Sequence, residues 1–223
     1  MTVKLFLSAI TKFLLGVVLV GVLIFLPAGT FSYLGGWLLM GLLFVPMFIA
    51  GLVMLWKSPA LLERRLHSRE SEPTQRRVIA ASGLMFAAAF VVAGLNWRFG
   101  WIVMPRWSVI AAAALFLAGY LMYAEVLREN EYLSRTIEVQ QGQKVIDTGL
   151  YGIVRHPMYS ATLLLFLSMP LVLGSLISLV IFLAYPAIIV RRIKDEEALL
   201  EQQLPGYRAY QNKVKYRLIP RVW

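Results

Sequence analysis

Long apolar runs alternate with short polar connections along the whole chain. A helix needs about 20 residues to cross the hydrocarbon core of a bilayer. Four runs come close to that length and predict four membrane-spanning helices, at residues 5–26, 33–56, 78–95 and 108–127. The pattern therefore predicts an all-α, polytopic integral membrane bundle.

A fifth apolar stretch differs from the others because it is uncharged but interrupted. It covers residues 158–190, and Pro170 and Gly174 lie near its middle. Proline and glycine together are typical of a turn, so we expect a helical hairpin of two short spans. The total is about six transmembrane helices in a single membrane-embedded unit. Residues 1–127 supply the N-terminal helices, and residues 128–223 supply a polar loop, the hairpin and a C-terminal segment.

Composition supports the membrane assignment. The 223 residues are 59% hydrophobic and 15% charged, and the mean hydropathy is +0.70. The chain has no cysteine, which excludes disulfides and thiolate metal sites. A net charge of +10 can indicate nucleic-acid binding, but in a polytopic protein basic residues mark cytoplasmic loops and contacts with anionic lipid. We therefore expect the basic residues to contact a membrane and not nucleic acid, and we expect no metal.

The basic residues are distributed unevenly among the connections. The connections near residues 28–32 and 170–176 contain no Lys or Arg, whereas the segments at 57–77, 128–155 and 191–223 contain most of them. The positive-inside rule then predicts that both termini are cytoplasmic. His67 lies in the first of these basic segments, and we interpret it as a solvated loop residue.

The polar loop from Gln140 to Tyr159 precedes the hairpin and concentrates chemistry-bearing residues. Pro157 directly follows His156, so we expect His156 to avoid helical backbone angles and Pro157 to begin the next helix. An ordinary loop with a helix stop would have the same features. The loop and the C-terminal segment should lie side by side, because the hairpin between them enters the membrane and returns.

A second polar cluster follows the hairpin. Arg192 and Glu196 are four residues apart, so they share one face of a helix. An exposed helix with ion pairs would explain them, but polar residues at a membrane boundary are more often functional. Beyond Pro205 the chain interleaves aromatic and basic residues. That tail can either close over a site as a lid or lie along the membrane surface.

The order of these motifs resembles the isoprenylcysteine carboxyl methyltransferase and phospholipid methyltransferase superfamily of integral membrane enzymes. The resemblance covers roughly residues 128–223 and rests on G-L-Y-G-I-V-R-H-P-M-Y, the uncharged hairpin, R-x-x-x-E-E-x-x-L, and then Y-R-A-Y and Y-R-L-I-P. It implies a pocket for S-adenosyl-L-methionine on the cytoplasmic side. It also implies catalytic roles for Arg192, Glu196 and His156.

The resemblance further implies which residues bind the cofactor. Glu196 would face its methionine end, and Arg192 would bind the methyl acceptor. The remaining cofactor contacts would come from the loop and the turn, namely Gln140, Gln143, Lys144, Val145, Ile146, Tyr151, His156, Pro157, Met158 and Tyr159.

The residue types suit this chemistry. A sulfonium and an ammonium need an acidic partner, which Glu196 or Glu197 can supply, and apolar walls exclude water from the methyl group. A carboxylate acceptor of the isoprenylcysteine type is ionised at neutral pH and needs no base, so Arg192 would only orient it. A phospholipid amine would need a base such as His156. A sterol-type membrane reductase using NADPH is a further alternative, although G-x-G-x-x-G is absent.

Overall fold

The computed structural model describes residues 3–66, 73–134 and 137–223. Within them the secondary structure is helical and contains no strand. The helices are α1 (Val3–Ala28), α2 (Leu34–Lys57), α3 (Pro59–Leu66), α4 (Pro73–Phe99), α5 (Arg106–Glu129), α6 (Pro157–Val172), α7 (Leu176–Phe182), α8 (Tyr185–Gln203) and α9 (Tyr207–Lys213), with a 3-10 turn at Gly149–Gly152. The prediction of an all-α membrane bundle is confirmed.

Among the described residues, five helical segments are long and apolar enough to cross a membrane. They are α1, α2, α4 from Arg76, α5 and the stretch Leu176–Gln203. The sixth predicted span is α6, an apolar helix of 16 residues. The hairpin turn is confirmed between α6 and α7. A second break, at Leu183 and Ala184, separates α7 from α8 and was not predicted.

Glycine lets two pairs of helices approach closely. A Cβ atom on Gly94 of α4 would lie 2.5 Å from the carbonyl oxygen of Ile24 on α1. A Cβ atom on Gly119 of α5 would lie 2.8 Å from Cγ of Leu165 on α6. Small residues at such crossings are typical of membrane bundles, where packing replaces the hydrophobic effect between helices. These contacts join the N-terminal helices to each other and the hairpin to α5.

The connections gather at two ends of the bundle as the charge pattern predicted. At one end, Lys12 Nζ donates to the carbonyl of Leu66 (2.6 Å), and Arg64 Nη2 donates to the carbonyl of Glu131 (2.6 Å). At the other end, the Tyr33 hydroxyl donates to the carbonyl of Leu173. The basic segments therefore share one end, and the assignment of that end to the cytoplasm stays a prediction.

Helix α3 lies in the segment that we interpreted as a charged connection. Leu61 and Leu62 are buried, which explains why this short stretch forms a helix against the bundle. His67, the expected loop histidine, lies outside the described residues.

Candidate active site

A cleft opens at the polar end of the bundle, between the loop that follows α5, the start of α6, and the later parts of α8 and α9. Its cavity volume is about 100 Å³, and it is open to solvent on one side. Most of the residues predicted to form the site line it, namely Gln143, Lys144, Val145, Ile146, Tyr151, His156, Met158, Tyr159, Arg192 and Glu196. The folding back of the hairpin therefore brings the two polar clusters together.

Two predicted residues do not line the cleft. The side-chain amide of Gln140 donates to the carbonyl of Tyr132 (2.6 Å), which directs it into the loop itself. Pro157 is buried at the first position of α6. His156 precedes it with φ −125° and ψ 60°, so the expected non-helical backbone is confirmed. Pro157 thus sets the direction in which α6 leaves the site.

Tyr159 connects the two charged residues of α8. Its hydroxyl donates to Oε2 of Glu196 (2.7 Å) and accepts from Nε of Arg192 (3.0 Å). Tyr159 is buried, and both hydrogen bonds are partly buried. The i, i+4 spacing on α8 places the guanidinium and the carboxylate on either side of one phenol oxygen. The cleft therefore offers a positive and a negative group at adjacent positions.

Glu197 has a different environment, although it is the next residue along the helix. It is 3% exposed, and its carboxylate accepts from Nε of Arg155 (2.8 Å) and from Nε of Arg217 (2.7 Å). Nε2 of His156 lies 3.2 Å from Oε1 of Glu197. Because this carboxylate is saturated by protein donors and does not line the cleft, Glu196 is the acid that a ligand would meet.

The same cluster holds the C-terminal segment against the turn before α6. Nη1 of Arg155 donates to the carbonyls of Val214 (2.8 Å) and Lys215 (2.9 Å). The backbone N–H groups of Arg155 and His156 donate to the carbonyls of Tyr216 and Arg217, both at 2.9 Å. The tail, for which we left open a lid or a surface helix, is thus tied to the site by main-chain hydrogen bonds.

The orientation of His156 follows from its contact with Glu197. A carboxylate only accepts hydrogen bonds, so the nitrogen that faces it, Nε2, carries the proton. In the neutral ring Nδ1 is then the acceptor. His156 lines the cleft, so a ligand bound there would lie beside its ring.

Helix α9 forms the far wall of the cleft. The Tyr210 hydroxyl donates to the carbonyl of Tyr151 (2.7 Å), and Lys213 Nζ pairs with Oδ2 of Asp147 (2.6 Å). The Tyr207 hydroxyl is buried and has no hydrogen-bond partner among the described residues. Burial raises the pKa of Tyr151 to about 12, so this phenol is uncharged at neutral pH.

Several residues of the cleft were not identified from the sequence. Those before α6 are Asn130, Tyr132, Leu133, Ser134, Ile137, Glu138 and Arg155, and those of α8, α9 and the turn between them are Leu199, Leu200, Leu204, Tyr207 and Tyr210. The leucines of the second set continue the helical face that begins at Arg192 and Glu196, so i, i+4 spacing could have found part of this set. The tyrosines of α9 depend on how the chain turns at Gly206, which the sequence alone does not determine.

The site's residues fall largely within a recognised family domain. Residues 109–202 match the model of the Isoprenylcysteine carboxyl methyltransferase (ICMT) family. The match covers less than half of the chain. The matched region runs from α5 into α8 and includes the turn at His156, Arg192 and Glu196. Helix α9, which supplies Tyr207 and Tyr210 to the cleft, follows this region.

The chain is also similar to two sterol reductases. Delta(14)-sterol reductase of Methylotuvimicrobium alcaliphilum is 27% identical over 135 residues, which cover 54% of this chain and 32% of that protein. Delta(14)-sterol reductase TM7SF2 of Mus musculus is 33% identical over 91 residues, or 40% of this chain and 22% of that protein. The chain thus spans a third or less of the length of these relatives.

Proposed function

We propose that this integral membrane protein is an S-adenosyl-L-methionine-dependent methyltransferase that acts on a membrane-embedded or lipidated acceptor. One observation carries the proposal. In the cleft, Arg192 and Glu196 flank the hydroxyl of Tyr159. Within one site, this arrangement offers a carboxylate for a cationic cofactor and a guanidinium for an anionic acceptor. The end of the bundle that holds it is the basic end, which we infer to be cytoplasmic.

The residues of the cleft suit this cofactor. Bound S-adenosyl-L-methionine supplies an activated methyl group on a positively charged sulfur. The Glu196 carboxylate attracts the sulfonium and the ammonium, and Met158, Leu199 and Leu200 provide apolar walls. Ligand sites commonly measure about 300–1,000 Å³. The cofactor would therefore extend beyond this cavity of about 100 Å³, along residues 143–146 toward its open side.

The acceptor that we propose is a carboxylate of the isoprenylcysteine type. Such a group is ionised at neutral pH, and the Arg192 guanidinium attracts and orients it at the membrane end of the cleft. Methyl transfer mainly requires alignment of the acceptor with the methyl group and the leaving sulfur. A phospholipid amine is the alternative acceptor, and for it His156 is the base because Glu197 fixes its ring.

Membranes that contain the protein, incubated with cofactor labelled in its methyl group, test this proposal. A carboxylate acceptor predicts label that base releases as methanol, and an amine acceptor predicts base-stable label in lipid. Glu196→Gln should abolish incorporation. Arg98→Ala is the matched control, because Arg98 lies against Gly29 and Phe99 at the opposite end of the bundle. Full incorporation by the Glu196 variant would refute the proposal.

A sterol-type membrane reductase that uses NADPH is the second candidate. The observation that favours it is the similarity to two Delta(14)-sterol reductases. A reductase would need to bind a dinucleotide with several phosphates, for which the cleft offers Lys144 and Arg192. Oxidation of NADPH by the protein in the presence of a sterol with a Δ14 double bond would support this candidate over methyl transfer.

A further inference from the structure

Tyr207 has a buried hydroxyl that the protein itself does not satisfy. The residue is 4% exposed and lines the cleft. Among the described residues, its oxygen has no hydrogen-bond partner. A buried polar group without a partner costs free energy, and native proteins retain few of them. Such a group in a ligand cleft is explained most simply by a partner that the ligand brings.

Tyr210 shows how the same helix satisfies a comparable hydroxyl. The two rings lie on α9 with their centroids 5.8 Å apart, and both residues are buried. The Tyr210 hydroxyl donates to the carbonyl of Tyr151 at 2.7 Å. The Tyr210 hydroxyl therefore has a protein partner, whereas the Tyr207 hydroxyl has none among the described residues. This difference makes Tyr210 a matched control for Tyr207.

Charges near Tyr207 indicate which part of a ligand lies beside it. Burial, followed by the nearby carboxylates of Glu197 and Glu196, raises the pKa of Tyr207 far above its ordinary value. The phenol therefore stays neutral and can both donate and accept. The charge of Glu197 is offset by Arg155 and Arg217. Glu196 is thus the acid close to Tyr207 that attracts a cationic ligand group.

We propose that the Tyr207 hydroxyl is a ligand contact that hydrogen-bonds the amino acid end of the cofactor, beside Glu196. This inference rests on the proposed function and deepens it, because it assigns a cofactor contact outside the matched region. The amino acid end carries an ammonium that can donate to the phenol oxygen and a carboxylate that can accept from it. Helix α9 is then part of the binding site as well as its wall.

The test compares Tyr207→Phe and Tyr210→Phe in the full-length protein in lipid nanodiscs. Two ligands are titrated: S-adenosylhomocysteine, which has the amino acid end, and 5′-methylthioadenosine, which lacks it. A lost hydrogen bond to a charged group predicts that Tyr207→Phe binds S-adenosylhomocysteine about tenfold or more weakly. Its affinity for 5′-methylthioadenosine should change less than about twofold, because this ligand lacks the group that Tyr207 would contact.

Thermal unfolding without ligand gives a second readout. Tyr207→Phe removes an unsatisfied group, so its unfolding temperature should equal or exceed that of the wild type. Tyr210→Phe leaves the Tyr151 carbonyl without its donor and should unfold a few degrees lower. Equal destabilisation by the two substitutions would overturn the inference, because it would mean that Tyr207 has a structural partner.

The outcomes separate this inference from the proposed function. If the wild type binds S-adenosylhomocysteine and Tyr207→Phe binds it equally well, the Tyr207 contact is wrong and the function stands. If Tyr207→Phe weakens both ligands to the same extent, the contact is not at the amino acid end and the inference is again wrong. If the wild type binds neither ligand, the proposed function fails and the inference fails with it.

Discussion

Replacing Glu197 by Gln should destabilise the protein far more than the same change at Glu196. Glu197 is 3% exposed and accepts hydrogen bonds from Arg155 and Arg217 at 2.8 and 2.7 Å. Removing one partner of a buried ion pair costs about 3–5 kcal/mol, because the remaining charge stays buried. Arg155, which is also buried, would keep only its carbonyl partners.

The expected loss can be converted into an unfolding temperature. For a chain of this length, 1 kcal/mol corresponds to about 2–4 °C, so Glu197→Gln should lower the temperature by about 6–20 °C. Glu196 is only partly buried, and among the described residues its carboxylate accepts a hydrogen bond from Tyr159. Glu196→Gln should therefore cost about 1 kcal/mol or less.

Differential scanning fluorimetry of the two variants in the same detergent measures both values. A double-mutant cycle with Arg155→Met should give a coupling energy of about 0.5–3 kcal/mol, because the two residues are in contact. Equal unfolding temperatures for the Glu196 and Glu197 variants would refute the division into a ligand-facing acid and a structural acid.

Three further predictions follow from other contacts. Arg192→Ala should lower methyl-acceptor turnover at least tenfold while leaving cofactor affinity within about threefold. Arg98→Ala should retain turnover and affinity, which are measured by radiolabel transfer and calorimetry respectively. Gly94→Ala should lower the free energy of unfolding by about 1–3 kcal/mol, because its Cβ would meet the α1 backbone at 2.5 Å. Gly83→Ala, where a Cβ would meet open space, should be neutral or stabilising, and thermal unfolding of both variants measures the difference. The hydrogen bond from Lys213 on α9 lowers the pKa of Asp147 below 3.8. This contact therefore stabilises the fold above pH 3.8, and the stabilisation is lost as the pH falls through the lowered pKa. The unfolding temperatures of the wild type and Asp147→Asn should converge only below pH 3.8.

The helices and their grouping at two ends of the bundle were predictable because the bilayer imposes a length and a charge pattern on the sequence. The adjacency of His156 and Glu196 was also predictable, since one uncharged hairpin separates them. These conclusions need only hydropathy, helix periodicity and the positive-inside rule. They do not depend on how individual side chains pack.

The different roles of Glu196 and Glu197 could not be read from the sequence. Neighbouring residues on a helix differ by about 100° in direction, but the sequence does not say which direction meets the cleft. Arg217 helps to make Glu197 the structural acid, because the C-terminal segment folds back and places this cation against its carboxylate. That contact joins residues 20 positions apart across a turn and a short helix.

The C-terminal wall of the cleft was beyond sequence analysis for a similar reason. The aromatic and basic pattern of the tail suits a membrane surface as well as a lid. In the structure Leu218 packs into the main core, and the backbone of Arg155 and His156 pairs with the tail. Main-chain hydrogen bonds of this kind leave no signature in side-chain patterns.

Isothermal titration calorimetry of the purified protein with S-adenosyl-L-methionine and with NADPH tests the central claim most directly. The account predicts that S-adenosyl-L-methionine binds to the wild type, that Glu196→Gln removes this binding, and that NADPH gives no heat of binding. Binding of NADPH without binding of S-adenosyl-L-methionine would contradict the account and establish the reductase alternative.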